Sequence, residues 1–170
     1  MKPIALSFFA LIAFSSNLIS ANATFGFPDS YSNIVAEEGK FDATSGDVIF
    51  AEAEHESGAT IEVSYNSRVP VTNEEMPKFF EFMSSKAFGN SRFENGKVLE
   101  KEGVNWCIVD LTNPNQPENE KIKIVFVSFD GSPMKMTFRA SNEVDLDQIA
   151  LEYIDYNNKA LVEQIGVSND

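Results

Sequence analysis

Residues 104–111, VNWCIVDL, hold the chain's single tryptophan and single cysteine side by side. Side chains alternate across an extended strand, so Val104, Trp106 and Ile108 point to one side and Cys107, Val109 and Leu111 to the other. Both sides are apolar. A strand of this kind belongs in the middle of a sheet with a covering layer on each face, and the rest of the chain has to supply those layers.

Working outward, SRFENGKVLEKEG (91–103) precedes the tryptophan strand and carries Asn95-Gly96, a two-residue hairpin signal. KIKIVFVSF (121–129) and MKMTFRA (134–140) follow it, joined through Asp130-Gly131, which makes a meander. The segment TNPNQPENE (112–120) is polar, contains two prolines and reads as a long exposed loop. Earlier in the chain DVIFAEAEHE (47–56) and TIEVSY (60–65) read as strands turned by Ser57-Gly58, with Ile61, Val63 and Tyr65 on one face and Thr60, Glu62 and Ser64 on the other.

Two amphipathic helices supply the layers. In VTNEEMPKFFEFMSSKAFG (71–89), Met76, Phe79, Phe80, Met83 and Ala87 recur at helical spacing, Thr72 and Glu75 form a capping box and Gly89 is a stop signal. Pro77 moves the regular start toward Glu75. In DLDQIALEYIDYNNKALVEQIG (145–166), Asp145 is the cap with Gln148 three residues later. Leu146, Ile149, Tyr153, Tyr156, Ala160 and Ile165 form its apolar side, and Gly166 ends it. The N-terminal TFGFPDSYSNI (24–34) is a further covering segment. The expected fold is α+β, an antiparallel sheet of six to seven strands in an αβα-like sandwich, with Trp106 and Cys107 in the core.

The first 23 residues, MKPIALSFFALIAFSSNLISANA, have the form of a signal peptide: Lys2, an apolar run from Ile4 to Phe14, and Ala21-Asn22-Ala23 as a small-x-small cleavage site. The apolar run is about half the roughly 20 residues of a membrane span, so no membrane anchor is expected. Cleavage after Ala23 leaves 24–170 as a single periplasmic or secreted domain, long enough to bury its own core. A lone cysteine makes no internal disulfide, so stability rests on packing. With 26 acidic and 13 basic residues the net charge is −13. That charge repels nucleic acid and anionic lipid and attracts cationic partners.

The chemical inventory is small. His55 is the only histidine, and no G-x-S-x-G, H-E-x-x-H, phosphate-cradling glycine loop or C-x-x-C occurs. A Cys107/His55 nucleophile pair requires an exposed thiol of lowered pKa, whereas the apolar pattern around Cys107 raises it. The expectation is therefore a protein that is not an enzyme, with no catalytic residue, cofactor or metal assigned. Glu54 and Glu56 share a strand face with Glu62 opposite, an acidic patch that is a candidate for weak cation binding.

Taken together, the leader, the FGFPDSYS lead-in, two strands, the helix after RVPVTNEE, the strands around NGKVLEKEGVNWCIVDL and the closing helix resemble the PsbP-like group of small α/β sandwich proteins. The resemblance covers nearly the whole mature chain and rests on element order. It implies a mostly non-enzymatic envelope protein that acts by protein binding, some members being similar to immunity proteins that neutralise toxins of type VI secretion. No residue role carries over from it. The candidate partner contacts are the loop residues Asn113, Asn115, Gln116, Glu118 and Glu120 and the turn Asp130, Gly131 and Ser132, which suit an immunity-type inhibitor that meets a cationic toxin. The alternative is a periplasmic carrier of a small hydrophobic ligand, held in a gap lined by Phe79, Phe82, Phe88, Phe126 and Phe129.

Overall fold

The computed structural model describes residues 26–41, 47–66, 69–85 and 90–167. The leader read at 1–23 and the expected helix end at Ala87, Phe88 and Gly89 lie outside the described residues. Strands β1 (Tyr31–Phe41), β2 (Val48–His55) and β3 (Thr60–Tyr65) precede helix α1 (Met76–Ser84). After it come β4 (Arg92–Lys101), β5 (Val104–Thr112), β6 (Glu120–Phe129), β7 (Ser132–Ser141) and helix α2 (Leu146–Val167). All seven strands pair antiparallel in one open sheet of order β1-β2-β3-β7-β6-β5-β4. The seventh strand is β1, of which only the first four residues, 31–34, fall in the 24–34 segment expected to cover the sheet. Its stretch EEGK has no period-two apolar pattern to announce it.

Turn chemistry explains the hairpins. Asp130 (φ 50°) and Gly131 (φ 69°) join β6 to β7 in the left-handed region that a two-residue hairpin turn demands, as expected. Asn95-Gly96 is a correction: it is a bulge inside β4, between the register pairs Glu94↔Asp110 and Lys97↔Ile108. The hairpin turn instead falls at Glu102 (φ 51°) and Gly103 (φ 83°). Asn95 adopts φ 54° within the bulge and donates through Nδ2 to Asp110 Oδ2 at 2.9 Å. A Cβ on Gly96 would lie 2.9 Å from Phe80 Cζ, so the glycine makes room for the α1 aromatic.

The tryptophan strand lies second from the β4 edge and, as the pattern required, is buried on both faces. Trp106 and Ile108 pack with Ile61, Val125, Met136 and Phe138 beneath Ile149, Tyr153, Ile154 and Leu161 of α2. Cys107 and Val109 pack with Ile124 and Phe126 beneath Met76 and Phe80 of α1. Trp106 Nε1 donates to Asn158 Oδ1 at 2.8 Å, so the indole enters the core with its polar edge satisfied. The Cys107 thiol is fully buried, and desolvation pushes its pKa up to about 12. A neutral thiol under a helix is a poor nucleophile. Alkylation by a water-soluble thiol reagent is expected to be negligible in the native protein and rapid once denaturant unfolds it; fast native labelling would remove Cys107 from the core.

Both helices deviate from their patterns for local reasons. In α1 the regular turns begin at Met76 with Pro77 in the first turn, where its missing N–H breaks no bond. Glu75 Oε2 accepts from the Thr72 amide at 3.0 Å, the carboxylate half of the capping box. Asp145 caps α2 as expected, its Oδ1 accepting from the amides of Asp147 (3.0 Å) and Gln148 (3.2 Å). The buried stripe of α2 is rotated from the expected one: Tyr156 is 49% exposed, while Asn157 and Asn158 are buried. Asn157 exchanges two hydrogen bonds with the backbone of Gly26, and Asn158 takes the indole proton, so polar side chains hold positions that hydrophobicity alone would assign elsewhere. The helix runs one residue past Gly166.

The two layers are unequal. α2 packs over β5, β6 and β7, and α1 packs over β4, β5 and β6. On the α1 side the sheet is buried beyond the helix as well, at Ile49 of β2, Ser64 of β3 and Thr137 of β7.

Candidate partner-binding site

The segment between β5 and β6 is a braced loop rather than a slack one. Asn113 Oδ1 accepts from the Asn115 amide at 2.9 Å, and the Gln116 amide donates to Asn113 O at 2.9 Å. Asn113 Nδ2 donates to Ser91 Oγ at 3.1 Å, and Gln116 Nε2 closes the loop on Glu120 O. From the other side Asn142, in the connection between β7 and α2, donates its amide to Asn119 O (2.9 Å) and Nδ2 to Glu118 O (2.8 Å). These bonds tie the loop to the N-terminus of α2 and set a wall at this end of the sheet.

Between that wall, the α2 N-terminus and the β4 bulge lies a cleft of about 560 Å³. Its acidic lining comprises Glu94, Asp110, Glu120, Glu143, Asp145 and Asp147, against Lys121 and Lys123. Lys123 is buried and bonded to Asp110 Oδ1, and its Nζ lies 3.3 Å from Asp147 Oδ1; Lys97 approaches the same Asp147 oxygen at 3.6 Å. Burial by itself would raise the pKa of Asp110. Hydrogen bonds from Lys123 and Asn95 and the charges of Lys123 and Lys97 outweigh burial and hold the carboxyl below 3.8. The buried ammonium is thus already matched by carboxylates, and the remaining acidic groups leave the cleft negative. Gln116 also lines it, with a buried Oε1 that has no hydrogen-bond partner. A pocket rich in acceptors fits a donor-bearing, cationic group.

The residues singled out from sequence divide sharply. Gln116 and Glu120 line the cleft, Asn113 lines an adjoining hollow with Ser91 and Arg92, and Asn115 and Glu118 face solvent. Asp130, Gly131 and Ser132 sit at the far end of β6, about 30 Å away at 3.3 Å per residue, so the two groups do not form one surface. Gly131 O accepts from the Val71 amide at 2.9 Å and Ser132 is buried, which makes this turn largely an anchor for the segment leading into α1. Asp110, Lys123 and Asp147 were missed. The available signal was a charge on an otherwise apolar strand face, Asp110 two residues after Ile108 and Lys123 two before Val125.

Three further expectations are corrected or resolved. Glu56 lies in the turn after β2, and the residue opposite Glu62 is Glu52, with Glu54 opposite Thr60. The register here is set by the turn after β2, where the His55 amide donates to Ala59 O and the Gly58 amide to His55 O, each at 2.8 Å, which alternation alone does not reveal. Among the described residues no group of three or more His, Cys, Asp or Glu side chains is arranged to hold a metal ion. His55 belongs to the α2 side of the sheet, with Nδ1 accepting from the Ser57 amide at 3.1 Å and Nε2 3.5 Å from Glu152 Oε2. Cys107 lies on the opposite face, so the thiol and the imidazole are not a pair. The phenylalanines do not line one gap. Phe126 is buried against Phe79 and Phe80, Phe82 is 59% exposed, Phe129 packs with the α2-side core, and Phe88 lies outside the described residues.

The fold defines the class: an α+β sandwich made of an open seven-stranded antiparallel sheet with a helix on each side. The solution structure of cyanobacterial PsbP (CyanoP) from Synechocystis sp. PCC 6803 aligns with this chain at a TM-score of 0.45 and 7% sequence identity, covering 78% of this chain and 82% of that one. No family model matches the chain, and no curated protein matches it. Among the described residues no helix is long and apolar enough to cross a membrane.

Proposed function

We propose that this chain is an exported, non-enzymatic binding protein of the cell envelope that holds a cationic protein partner, most concretely as an immunity-type inhibitor of a secreted toxin. The observation that carries this reading is the acidic cleft beside the braced 113–119 loop, on a protein of net charge −13. A rigid acidic recess steers a basic surface into register and gains specificity from the acceptors at its base. The leader at 1–23 supplies the route of export.

The test uses the product of the adjacent gene as partner. Calorimetry is expected to show binding that weakens about tenfold or more when ionic strength is raised from about 0.05 to 0.5 M, as screening of a charged interface requires. The double variant Glu94→Lys/Glu143→Lys alters two exposed cleft carboxylates and leaves the core intact. It is expected to weaken binding by about one to two orders of magnitude and to abolish protection against that product in a growth assay. A protein that neither binds nor protects, and instead carries a lipid visible by native mass spectrometry, would replace the inhibitor with the carrier.

A further inference from the structure

We infer that the open edge of β4, from Lys97 to Lys101, is a second docking surface, and that its occupant is a basic, extended segment of the protein partner, added to the sheet as a further strand. The inference rests on the reading of this chain as a binder of cationic proteins, and it gives that partner a second contact, made through the backbone. β4 pairs with β5 alone and ends the sheet, and none of its ten residues is buried.

The hairpin fixes which groups this edge offers. Glu102 and Gly103 form a two-residue turn with positive φ at both positions, so the flanking pair Lys101↔Val104 exchanges both backbone bonds. By alternation Leu99↔Trp106 and Lys97↔Ile108 do the same, whereas Val98 and Glu100 turn their N–H and C=O groups away from β5. Those groups are the donors and acceptors that an added strand takes. Sheet edges are ordinarily shielded by bulges or by charged side chains, lysine above all. β1, the opposite edge, is broken by two register irregularities. In β4 the irregularity lies at 95–96, and 97–101 runs in register. The lysines of that run are drawn over α2 instead of guarding it: Lys101 is bonded to Asp155, and Lys97 lies 3.6 Å from Asp147.

Charge and continuity identify the occupant. With its lysines matched, the run leaves Glu100 as its exposed charge, and Val98, 44% exposed, stands beside it on the same face. About 17 Å back along the same edge from Glu100, Glu94 and Asn95 line the acidic cleft, so one extended chain spans both. A segment with lysine or arginine opposite Glu100 and an apolar residue opposite Val98 matches this run and carries its next cations into the cleft. An acidic segment is repelled, and a second copy of this chain is opposed by its own charge of −13.

An edge that meets only water and an edge that receives a strand differ in amide exchange. The probe is the product of the adjacent gene, mixed with the isotope-labelled protein. In the free protein the Val98 and Glu100 amides are expected to exchange fast and that of Leu99 slowly; in the complex Val98 and Glu100 are expected to slow by about tenfold or more. Val98→Pro removes one outward donor, a change that edge strands tolerate where the N–H faces solvent, and is expected to weaken binding about tenfold. Glu100→Lys is expected to weaken it about threefold or more. Exchange is read on the parent chain, so its result stands whatever the proline does to the fold. Binding that Glu94→Lys/Glu143→Lys weakens, with Val98 and Glu100 exchanging in the complex as they do in the free protein, would overturn this inference and leave the cleft reading standing. A product that does not bind the chain at all would remove both.

Discussion

Trp106→Ala is expected to lower the unfolding free energy by about 3–5 kcal/mol, a large part of the roughly 5–15 kcal/mol available to a domain of this size. The indole is fully buried between β4, whose Leu99 is its register partner, and α2, so truncation opens a cavity that the surrounding sheet cannot close. A second loss adds to it. Asn158 Oδ1 gives up the indole N–H at 2.8 Å and is left as a buried acceptor, although its Nδ2 still donates to Glu102 Oε2 at 2.9 Å. Trp106→Phe separates the two contributions, since it keeps most of the apolar volume and removes the donor, and it should cost about 1–3 kcal/mol. Denaturant unfolding followed by circular dichroism checks both, because either substitution deletes the chain's only tryptophan. A Trp106→Ala loss under about 1 kcal/mol would show that the tryptophan is not the keystone of the α2-side core.

Asp110→Asn should remove about 2–3 kcal/mol at neutral pH, less than the 3–5 typical of a broken buried pair because Asp147 remains beside Lys123 and Asp110 is partly exposed. Its signature is the pH dependence. Burial pushes the Asp110 carboxyl up, but the bonds from Lys123 and Asn95 and the charges of Lys123 and Lys97 bring it below 3.8. A carboxyl whose folded pKa lies below its unfolded value binds its proton more readily in the unfolded chain. Its stabilisation is complete above about pH 5 and is lost as pH falls through the unfolded value near 3.9 toward the lower folded one. The parent should therefore lose stability as pH falls below about 5, and Asp110→Asn should flatten that limb. Two parallel acid profiles would show that Lys123 and Asp110 do not act as a pair in solution.

Much of this architecture is legible one segment at a time. The two-faced apolar pattern of 104–111 demanded a layer on each side, and both helices are there, one over Trp106 and the other over Cys107. Asp130-Gly131 and the Asp145 cap were readable because their chemistry acts within two or three residues. The candidate site was half legible: polarity marked the 113–120 loop, but Asn142, Asp147 and Lys123 reach it from other parts of the chain.

Local periodicity and turn chemistry thus specify the kinds of element, their sidedness and the excess of negative charge, because these depend on near neighbours and on composition. Long-range contacts set the remainder. Asn95-Gly96 carries the same signal for a hairpin as for a bulge, and Phe80 resting over the missing Cβ is part of what makes it a bulge. Pairing of β3 with β7 closes the sheet across more than half of the described chain, and the Gly26 and Trp106 bonds to Asn157 and Asn158 turn α2 so that Tyr156 faces outward. Such choices turn on which surfaces meet at a distance, where a buried donor or a few cubic ångströms of space outweighs the weak preference of any short stretch.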